Sequence, residues 1–314
     1  MGSSTWLEPL FIRTSLVACG FLAIAYIFFY FISKIRPNKY LIMKASFISW
    51  LVVAPILFIL AGAPDPLPLI AIILVSIYSS KTFFRMSGMY HRSLFVLTNY
   101  FFIFLQGYFI YKGFDHSVMH IMPMIFLSAI CSIPILTDNY EHMIQYIGLS
   151  LLSYLFFGWG LIHFAMILGF EKGIYIALYL IILSEFNDGI YKLVNMEWGK
   201  VKPLKKLSPR LSIEALMVSM SLTLLVAWAL RSCLPIPTEV YWISAGVVVS
   251  LFGRMGSLVM TMIRKDLGIK DSSDVFVIGK DDIIARVDKL IFVAPIIYYL
   301  FIALDTGFFI KLYS

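Results

Sequence analysis

Charged side chains are scarce in this chain of 314 residues: only 14% are Asp, Glu, Lys or Arg, whereas 61% are hydrophobic. A typical soluble domain carries about 25% charged residues. A chain this apolar has too little polar surface to cover a water-soluble fold of its size, which excludes a large soluble module. The chain also shows no strand-period alternation of apolar and polar residues. We therefore expect an all-α, polytopic integral membrane protein.

Cysteine is also rare, since the chain has only three. Cys19, Cys131 and Cys233 are far apart and lie in or beside apolar runs. Their spacing excludes a cysteine metal site or a disulfide framework and predicts small core residues.

Long apolar runs are abundant, and about ten of them have lengths near that of a transmembrane helix. They cover residues 14–33, 46–61, 66–80, 93–111, 120–136, 144–167, 173–191, 213–230, 239–263 and 288–310. The first run is longer than the core of a signal peptide and no cleavage site follows it, so we expect a retained helix. The domain prediction is one integral membrane domain over residues 1–314, with an extra N-terminal helix and basic loop over residues 1–45.

The basic residues predict the orientation of these runs in the membrane. If the loop after the first run is cytoplasmic, most of the 25 Lys and Arg residues fall in cytoplasmic loops. This asymmetry predicts an even number of spans in the cytoplasmic membrane, with both termini outside. We interpret the net charge of +7 as a signal of topology and of contact with membrane lipids. Nothing else in the sequence favours nucleic-acid binding.

One charged region follows the seventh run, where Glu185 and Asp188 lie three residues apart and so share a helix face. Carboxylates at the end of a membrane helix are costly and are often functional. The alternative is a carboxylate at the interface that is paired with Lys192.

A basic stretch comes next, with five cations between Lys200 and Arg210. Ser208 and Pro209 predict a helix start, with Ser208 as the N-cap and Pro209 in the first turn. The free N–H groups of such a helix, beside Lys205, Lys206 and Arg210, form a site that suits a phosphate. The alternative is an ordinary basic anchor on the cytoplasmic side.

A second charged region covers residues 264–288 and mixes carboxylates with cations. Its carboxylates are hard oxygen ligands that suit Mg²⁺, which favours one or two carboxylates together with phosphate oxygens. The alternative is a solvated loop of mixed charge. The carboxylates are Asp271, Asp274, Asp281, Asp282 and Asp288, and the cations are Arg264, Lys265, Lys270, Lys280 and Arg286.

Within the spans, Arg254 requires a polar partner, and we expect His163 to be a satisfied core or interface residue.

The order and spacing of these segments resemble the CTP:phosphatidate cytidylyltransferase family, also called CDP-diacylglycerol synthases. The resemblance covers about residues 40–310 and is sharpest in a signature region at 184–290. The family's Asn-Asp and following Tyr resemble Asn187-Asp188 and Tyr191, and its Ser-Pro-Lys-Lys-Thr-Trp-Glu-Gly resembles Ser208–Ala215. Its basic and acidic run resembles Thr261–Ser273, and its closing Pro-Gly-His-Gly-Gly-x-x-Asp-Arg-x-Asp is similar to Ile278–Asp288.

The chain departs from the family pattern at several positions, so it resembles a divergent member. Ser257 stands where the family has an Asp, and Ala285 stands for the first Asp of Asp-Arg-x-Asp. Lys280-Asp281-Asp282 replaces His-Gly-Gly, and Leu211 replaces one Lys. Two carboxylates of the constellation are therefore missing, and Asp281 or Asp282 could replace one of them.

The resemblance implies a membrane nucleotidyltransferase that joins CTP and a lipid phosphate to give a CDP-activated lipid and pyrophosphate, with Mg²⁺ as cofactor. It implies catalytic roles for Asp188, Asp271, Arg286 and Asp288, and Mg²⁺ ligation by Asp188, Asp271 and Asp288. The substrate-binding residues that it implies are Asn187, Lys205, Ser208, Arg210, Ser212, Glu214, Arg264, Lys265 and Lys270. One alternative is a catalytically degenerate relative that serves as a lipid-binding or scaffold subunit. Another is a transporter or an unrelated polytopic protein. A homodimer is compatible with the sequence.

Overall fold

The computed structural model describes residues 5–35, 50–51, 53–114, 116–209, 211–236, 238–268 and 282–305. This part of the chain is all-helical and contains no strand, as the sequence predicts. The helices are α1 (Pro9–Ile35), α2 (Val53–Gly62), α3 (Leu67–Met86), α4 (Ser93–Tyr111), α5 (His116–Leu136), α6 (Met143–Ser153), α7 (Leu161–Leu168), α8 (Gly173–Trp198), α9 (Ile213–Ala229), α10 (Glu239–Asp266), α11 (Asp282–Val287) and α12 (Leu290–Asp305). A π-helical segment, Tyr154–Gly160, joins α6 to α7.

Six helices in the described residues are long and apolar enough to cross a membrane, so this is a multi-pass membrane protein. They are Leu67–Met86, Ser93–Tyr111, Val118–Leu136, Met143–Leu168, Gly173–Trp198 and Glu239–Asp266. Shorter apolar helices cover Pro9–Ile24, Val53–Gly62, Ile213–Ala229 and Leu290–Leu304. Each predicted apolar run overlaps one of these helices.

Contacts divide the chain into two packing units. The first unit contains the residues up to Pro68 together with Lys172–Ser250, and the second contains Leu69–Glu171, Leu251–Gly268 and the residues from Ile283. The single integral membrane domain over residues 1–314 stays a prediction.

In the first unit, the start of α1 is tied to α2 and α8. The Tyr175 hydroxyl on α8 donates to a Glu8 carboxylate oxygen at 2.5 Å, and the Trp6 indole donates to the Ile59 carbonyl at 3.2 Å. Phe11 packs with Tyr175 and Leu178 in a small apolar core. These contacts fix the N-terminal turns of α1, whereas Leu16 and other apolar residues farther along it are exposed.

The cysteines follow the core prediction only in part. Cys233 is buried, but Cys19 is exposed on α1, so the prediction of a core residue is wrong there. The reason is physical, because an apolar side chain in a membrane helix is as stable against lipid as against protein. An apolar run therefore does not separate core positions from lipid-facing ones.

In the second unit, a polar network lies between α3, α4 and the end of α6. The Ser80 hydroxyl lies 3.0 Å from Asn99 Oδ1 and 2.9 Å from Ser153 Oγ, and Asn99 Nδ2 donates to the Ser150 carbonyl at 3.2 Å. All four residues are fully buried. Hydrogen bonds of this kind hold membrane helices together where lipid offers no polar partner.

Also in the second unit, α12 packs against the π-helical segment and α7. A Cβ at Gly160 would come within 2.9 Å of the Ile291 carbonyl oxygen, so glycine permits a close approach there. His163 is fully buried, with Nδ1 2.6 Å from the Trp159 carbonyl and Nε2 3.0 Å from the Tyr299 hydroxyl. Both ring nitrogens are therefore satisfied, which confirms the prediction for His163.

Candidate functional site

Asp188 lies on α8 in the first unit and is only 8% exposed. Its Oδ2 atom is 2.9 Å from Lys192 Nζ, one helical turn later. Since half of the Lys192 side chain is exposed, this cation reaches from the surface towards a buried carboxylate. The pairing with Lys192 that the sequence offered as an alternative is confirmed.

Asn187, the neighbour of Asp188, connects three helices. Its Nδ2 atom donates to Thr223 Oγ1 on α9 at 3.0 Å and lies 3.3 Å from Ser250 Oγ on α10. The Ser250 hydroxyl donates to the Gly246 carbonyl at 2.7 Å, so its oxygen is free to accept. Sequence reasoning missed Thr223 and Ser250, although single hydroxyl residues inside apolar runs were a signal for them.

The helix after the basic stretch begins four residues later than predicted. Ser212, and not Ser208, is the N-cap of α9: its backbone is extended and its hydroxyl accepts from the Ala215 N–H at 3.4 Å. Ser208 lies in a turn, where its N–H donates to the Leu204 carbonyl and its carbonyl accepts from the Leu211 N–H. The predicted start is wrong because Leu211 and Ser212 are buried, which fixes the entry of the chain at that point.

The segment that precedes α9 forms hydrogen bonds with the first turn of this helix. The Ile213 N–H donates to the Val201 carbonyl at 3.1 Å, and the Val201 N–H donates to both Glu214 carboxylate oxygens, at 3.0 and 3.2 Å. Hydrogen bonds from the backbone N–H groups of Glu214 itself and of Val201 lower the pKa of Glu214, because they stabilise its charged form. Lys205 and Ser208 consequently lie in the segment ahead of the helix, with Lys205 exposed and Ser208 partly exposed.

In the second unit, Asp288 lies between α11 and α12 and is 5% exposed. Its N–H donates to the Ile284 carbonyl at 2.8 Å. Ile284 and Val287 are buried with Met260 and Ile263 of α10, which fixes α11 against that helix. The apolar residues of α11 thus position the backbone of Asp288.

Gly256 on α10 lies directly against the backbone of Asp288. A Cβ at Gly256 would collide with the Asp288 carbonyl oxygen and would lie 3.0 Å from its carbonyl carbon. A Cβ at Gly253, one turn earlier, would only make ordinary contact with Lys289. Glycine at 256 is therefore required for α10 to approach Asp288.

The remaining predicted residues of the second unit lie at helix ends or in α11. Arg264, which is partly exposed, and Lys265, which is exposed, end α10, and Arg286 is partly exposed on α11. Ala285 belongs to α11, and Ser257 follows Gly256 on α10. Arg210, Lys270, Asp271, Asp274, Lys280 and Asp281 lie outside the described residues.

The structure assigns the predicted site residues to both packing units. Asn187, Asp188, Lys205, Ser208, Ser212 and Glu214 belong to the first unit, and Arg264, Lys265, Arg286 and Asp288 belong to the second. The meeting of the two charged regions in one site stays a prediction.

Mg²⁺ binds to hard oxygen donors, of which carboxylates are the commonest in proteins. In the described ranges, no group of three or more His, Cys, Asp or Glu side chains lies together as a metal site. Asp188 and Asp288 nevertheless supply hard oxygen donors, and Mg²⁺ commonly takes one or two carboxylates and completes its shell with substrate phosphate oxygens and water. The donor chemistry of these residues fits the ion.

Comparison with known proteins places this sequence in a family. A model of the cytidylyltransferase family matches residues 44–304. The chain is 31% identical over 162 residues to the uncharacterised protein YnbB of Escherichia coli K12, which covers 48% of this chain and 54% of that protein. It is 29% identical over 122 residues to a phosphatidate cytidylyltransferase of Bacillus subtilis, covering 38% of this chain and 44% of that protein. A Staphylococcus aureus phosphatidate cytidylyltransferase is 30% identical over 134 residues, covering 42% of this chain and 51% of that protein.

The aligned parts of these curated relatives amount to about half of their length. The family model, in contrast, covers most of this chain and includes Asn187, Asp188, Gly256 and Asp288. The departures at Ser257 and Ala285 fall inside the same match. The chain therefore belongs to the cytidylyltransferase family, as a divergent multi-pass membrane member.

Proposed function

We propose that this protein is a membrane nucleotidyltransferase that joins CTP to a lipid phosphate, phosphatidate or a close analogue, and releases pyrophosphate. The observation that carries the proposal is the family match over residues 44–304, which contains both buried carboxylates, Asp188 and Asp288. The charged regions lie on the cytoplasmic side in the predicted topology, where a headgroup of the inner leaflet meets soluble CTP.

In the proposed reaction, a phosphate oxygen of the lipid attacks the α-phosphorus of CTP. The bond from that phosphorus to the β-phosphate oxygen breaks, and pyrophosphate leaves with the electron pair. Both reactants are anions, so the protein must offset their repulsion and the charge that develops on the leaving group. The attacking oxygen is already ionised, and little proton transfer is needed.

The chain's own cations and hydroxyl groups take the phosphate-binding roles in this proposal. Lys205, Arg210, Arg264, Lys265 and Lys270 bind phosphoryl oxygens, and Ser208, which is partly exposed, donates a hydrogen bond to them. Ser212 is fully buried and serves as the cap of α9. Arg286 neutralises charge on the transferred group. Asn187 keeps α8 in place through Thr223 and Ser250, and Glu214 holds the Lys-rich segment through Val201.

Asp188, Asp271 and Asp288 would hold Mg²⁺, which supplies positive charge next to the phosphates when it is bound. The Oδ2 atom of Asp188 lies 2.9 Å from Lys192 Nζ, so this carboxylate already has one cation beside it.

A pyrophosphate-release assay tests the proposal. The purified full chain in phospholipid nanodiscs, supplied with CTP and Mg²⁺, is expected to release pyrophosphate with phosphatidate, and a panel of other lipid phosphates defines the substrate. Asp188→Asn is expected to slow release by about 100-fold or more, the scale for loss of a preorganised electrostatic group. Asp271→Asn is expected to act similarly.

The matched control is Asp138→Asn, at an exposed turn residue with a positive φ of 46° that asparagine readily adopts. It is expected to retain the wild-type rate. Absence of pyrophosphate release with every lipid phosphate would contradict the enzyme proposal.

A second candidate function is a degenerate family member that binds lipid without turnover. The observation that favours it is the loss of two family carboxylates, at Ser257 and Ala285. This candidate predicts phosphatidate binding to nanodisc-embedded protein, measured by native mass spectrometry, with no pyrophosphate under any condition. Turnover that is lost in Asp188→Asn would exclude it.

A further inference from the structure

A group of cations and aromatic rings surrounds the connection between α3 and α4 in the second unit, outside the signature region. We call it the Arg92 cluster, and it consists of Arg85, Tyr90, His91, Arg92 and Tyr146. The Arg92 guanidinium carbon lies 4.5 Å from the centre of the Tyr146 ring, and Nη2 is 3.1 Å from the Tyr146 hydroxyl. The Arg85 guanidinium lies 5.2 Å from the centre of the Tyr90 ring.

Buried packing and a hydrogen bond hold the turn that carries this cluster in place. Met89, in the short 3₁₀ turn Met89–His91, is 1% exposed and packs with Phe84, Phe95 and Val96. His91 Nδ1 lies 2.8 Å from the Gly88 carbonyl, so this nitrogen carries the proton and donates. The packing of this turn therefore limits the movement of the cations in the cluster, whereas lysines on a solvated loop move freely.

Among the residues that the structure describes, no carboxylate pairs with the arginines of the Arg92 cluster. Residues 66–114 contain no Asp or Glu. Within the described part of the chain, neither Arg85 nor Arg92 forms an ion pair. The carboxylates that do not pair with them include Asp138 and Glu141 of the α5–α6 connection.

The Arg92 Nε atom is buried and has no hydrogen-bond acceptor among the described residues. An arginine N–H group that is buried without an acceptor is costly, and arginine at the edge of a membrane protein commonly pairs with an anion. The cluster therefore has the chemistry of a site that a phosphate group would complete.

An exposed apolar face begins beside Arg92 and continues along α4. Its residues follow one another at steps of three and four, which places them on one side of the helix. They are Leu94, Leu97, Phe101, Phe104 and Tyr108, all of them exposed. Because α4 is one of the six membrane-spanning candidates, this face suits acyl chains and distinguishes a lipid from a free phosphate.

We propose that the Arg92 cluster binds the headgroup phosphate of an anionic phospholipid whose acyl chains lie along the exposed face of α4. Arg85 and Arg92 bind the phosphate, and Tyr146 holds the Arg92 guanidinium in place. A planar guanidinium with several N–H donors suits a phosphodiester better than an ammonium group does. This proposal does not depend on the proposed function, since none of these residues has a role in it.

Thermal unfolding of the full chain in a neutral detergent tests the site. Dioctanoyl phosphatidylglycerol is expected to raise the Tm in a saturable manner, whereas dioctanoyl phosphatidylcholine and sn-glycerol 3-phosphate are not. Arg92→Gln is expected to weaken the apparent affinity for phosphatidylglycerol by about 10-fold or more, as for loss of a charge-assisted hydrogen-bonding partner. Arg92→Lys is expected to lose most of this affinity as well.

The matched control is Arg231→Gln, because Arg231 also stacks on an aromatic ring, Trp228, at 4.7 Å. This variant is expected to keep the wild-type response to phosphatidylglycerol. If Arg92→Gln does not fold, Arg85→Gln replaces it, since Arg85 is exposed, and its expected loss of affinity is about 3-fold or more.

Three results would overturn the proposal. One is an equal Tm rise with phosphatidylcholine, which would mean that the headgroup charge is not recognised. Another is a full response to sn-glycerol 3-phosphate, which would show an anion site without a lipid. The third is unchanged affinity in the arginine variants, which would leave the cluster as an ordinary basic anchor.

Discussion

Gly256 on α10 and Asp288 between α11 and α12 lie backbone against backbone, with no space for a side-chain carbon at position 256. The contact lies within the second packing unit. Only glycine permits this close approach, so the position of Asp288, a proposed metal ligand, depends on the glycine at 256. The resemblance to the family implies an Asp directly after this glycine, where this chain has Ser257.

Gly256→Ala is expected to destabilise the protein by about 1–3 kcal/mol, because the added carbon overpacks a backbone contact. Pyrophosphate release, if present in the wild type, is expected to fall with it, since Asp288 must shift. Thermal unfolding in detergent measures the first effect. The control is Gly148→Ala in α6, where a Cβ meets nothing within 4 Å; equal Tm values for the two variants would refute the contact.

Asn187 and Thr223 are expected to be energetically coupled, since the Asn187 amide donates to the Thr223 hydroxyl between α8 and α9. A double-mutant cycle with Asn187→Leu and Thr223→Val is expected to give a coupling of about 0.5–2 kcal/mol, the range found for hydrogen bonds between membrane helices. Reversible unfolding in mixed micelles provides the measurement. The control cycle pairs Asn187→Leu with Ser221→Ala, because the Ser221 hydroxyl donates to its own helix, at Met217. Additive effects in the first cycle would count against the bridge.

Glu214→Ala is expected to release the segment between α8 and α9, because the Val201 N–H loses its carboxylate acceptor. The segment contains Lys200, Lys202, Lys205 and Lys206, all exposed. Limited trypsin digestion after Lys200, Lys205 and Lys206 should become several-fold faster, whereas Lys202 precedes Pro203 and is not a trypsin site. Glu239→Ala, at an exposed carboxylate in the first turn of α10, serves as the control and should be cleaved at the wild-type rate. Equal digestion rates for both variants would mean that Glu214 does not hold the segment.

Restoring the family carboxylates tests the Mg²⁺ hypothesis. The double variant Ser257→Asp with Ala285→Asp is expected to lower the Mg²⁺ concentration for half-maximal pyrophosphate release, because it adds hard oxygen donors. Ser257→Ala with wild-type Ala285 is the control and should leave this concentration unchanged. A double variant whose Mg²⁺ dependence matches the wild type would argue against metal binding near these positions.

The helical architecture was predictable from the sequence because lipid imposes a simple rule. A segment that crosses the bilayer must be apolar over its whole length, so runs such as 93–111 and 120–136 mark α4 and α5 closely. The family could also be predicted, since the order of motifs from Asn187-Asp188 to Asp288 survives even where single residues have changed.

The start of α9 was harder to predict, because two serines carry the same local signal. Ser208 with Pro209 has the stronger N-cap pattern, but Ser212 is the residue that caps the helix. The choice depends on burial of Leu211 and on pairing with Val201, and neither is visible in a local pattern. Thr223 and Ser250, the partners of Asn187, were missed for the same reason, since helix packing brings them together.

The π-helical segment Tyr154–Gly160 has a consequence for how this long span can vary. A widened turn accommodates one residue more than an α-helical turn does. This segment separates two groups of hydrogen-bonding residues: Ser150 and Ser153 belong to the Asn99 network, and His163 pairs with Tyr299. Deleting a single residue there would restore ordinary winding and leave the two halves of the span facing as before, because the widened turn already absorbs the rotation of about 100° that one residue adds to an α-helix. Both groups of partners would then stay within reach, whereas a deletion in the regular α-helical turns on either side would turn one group away from its partners.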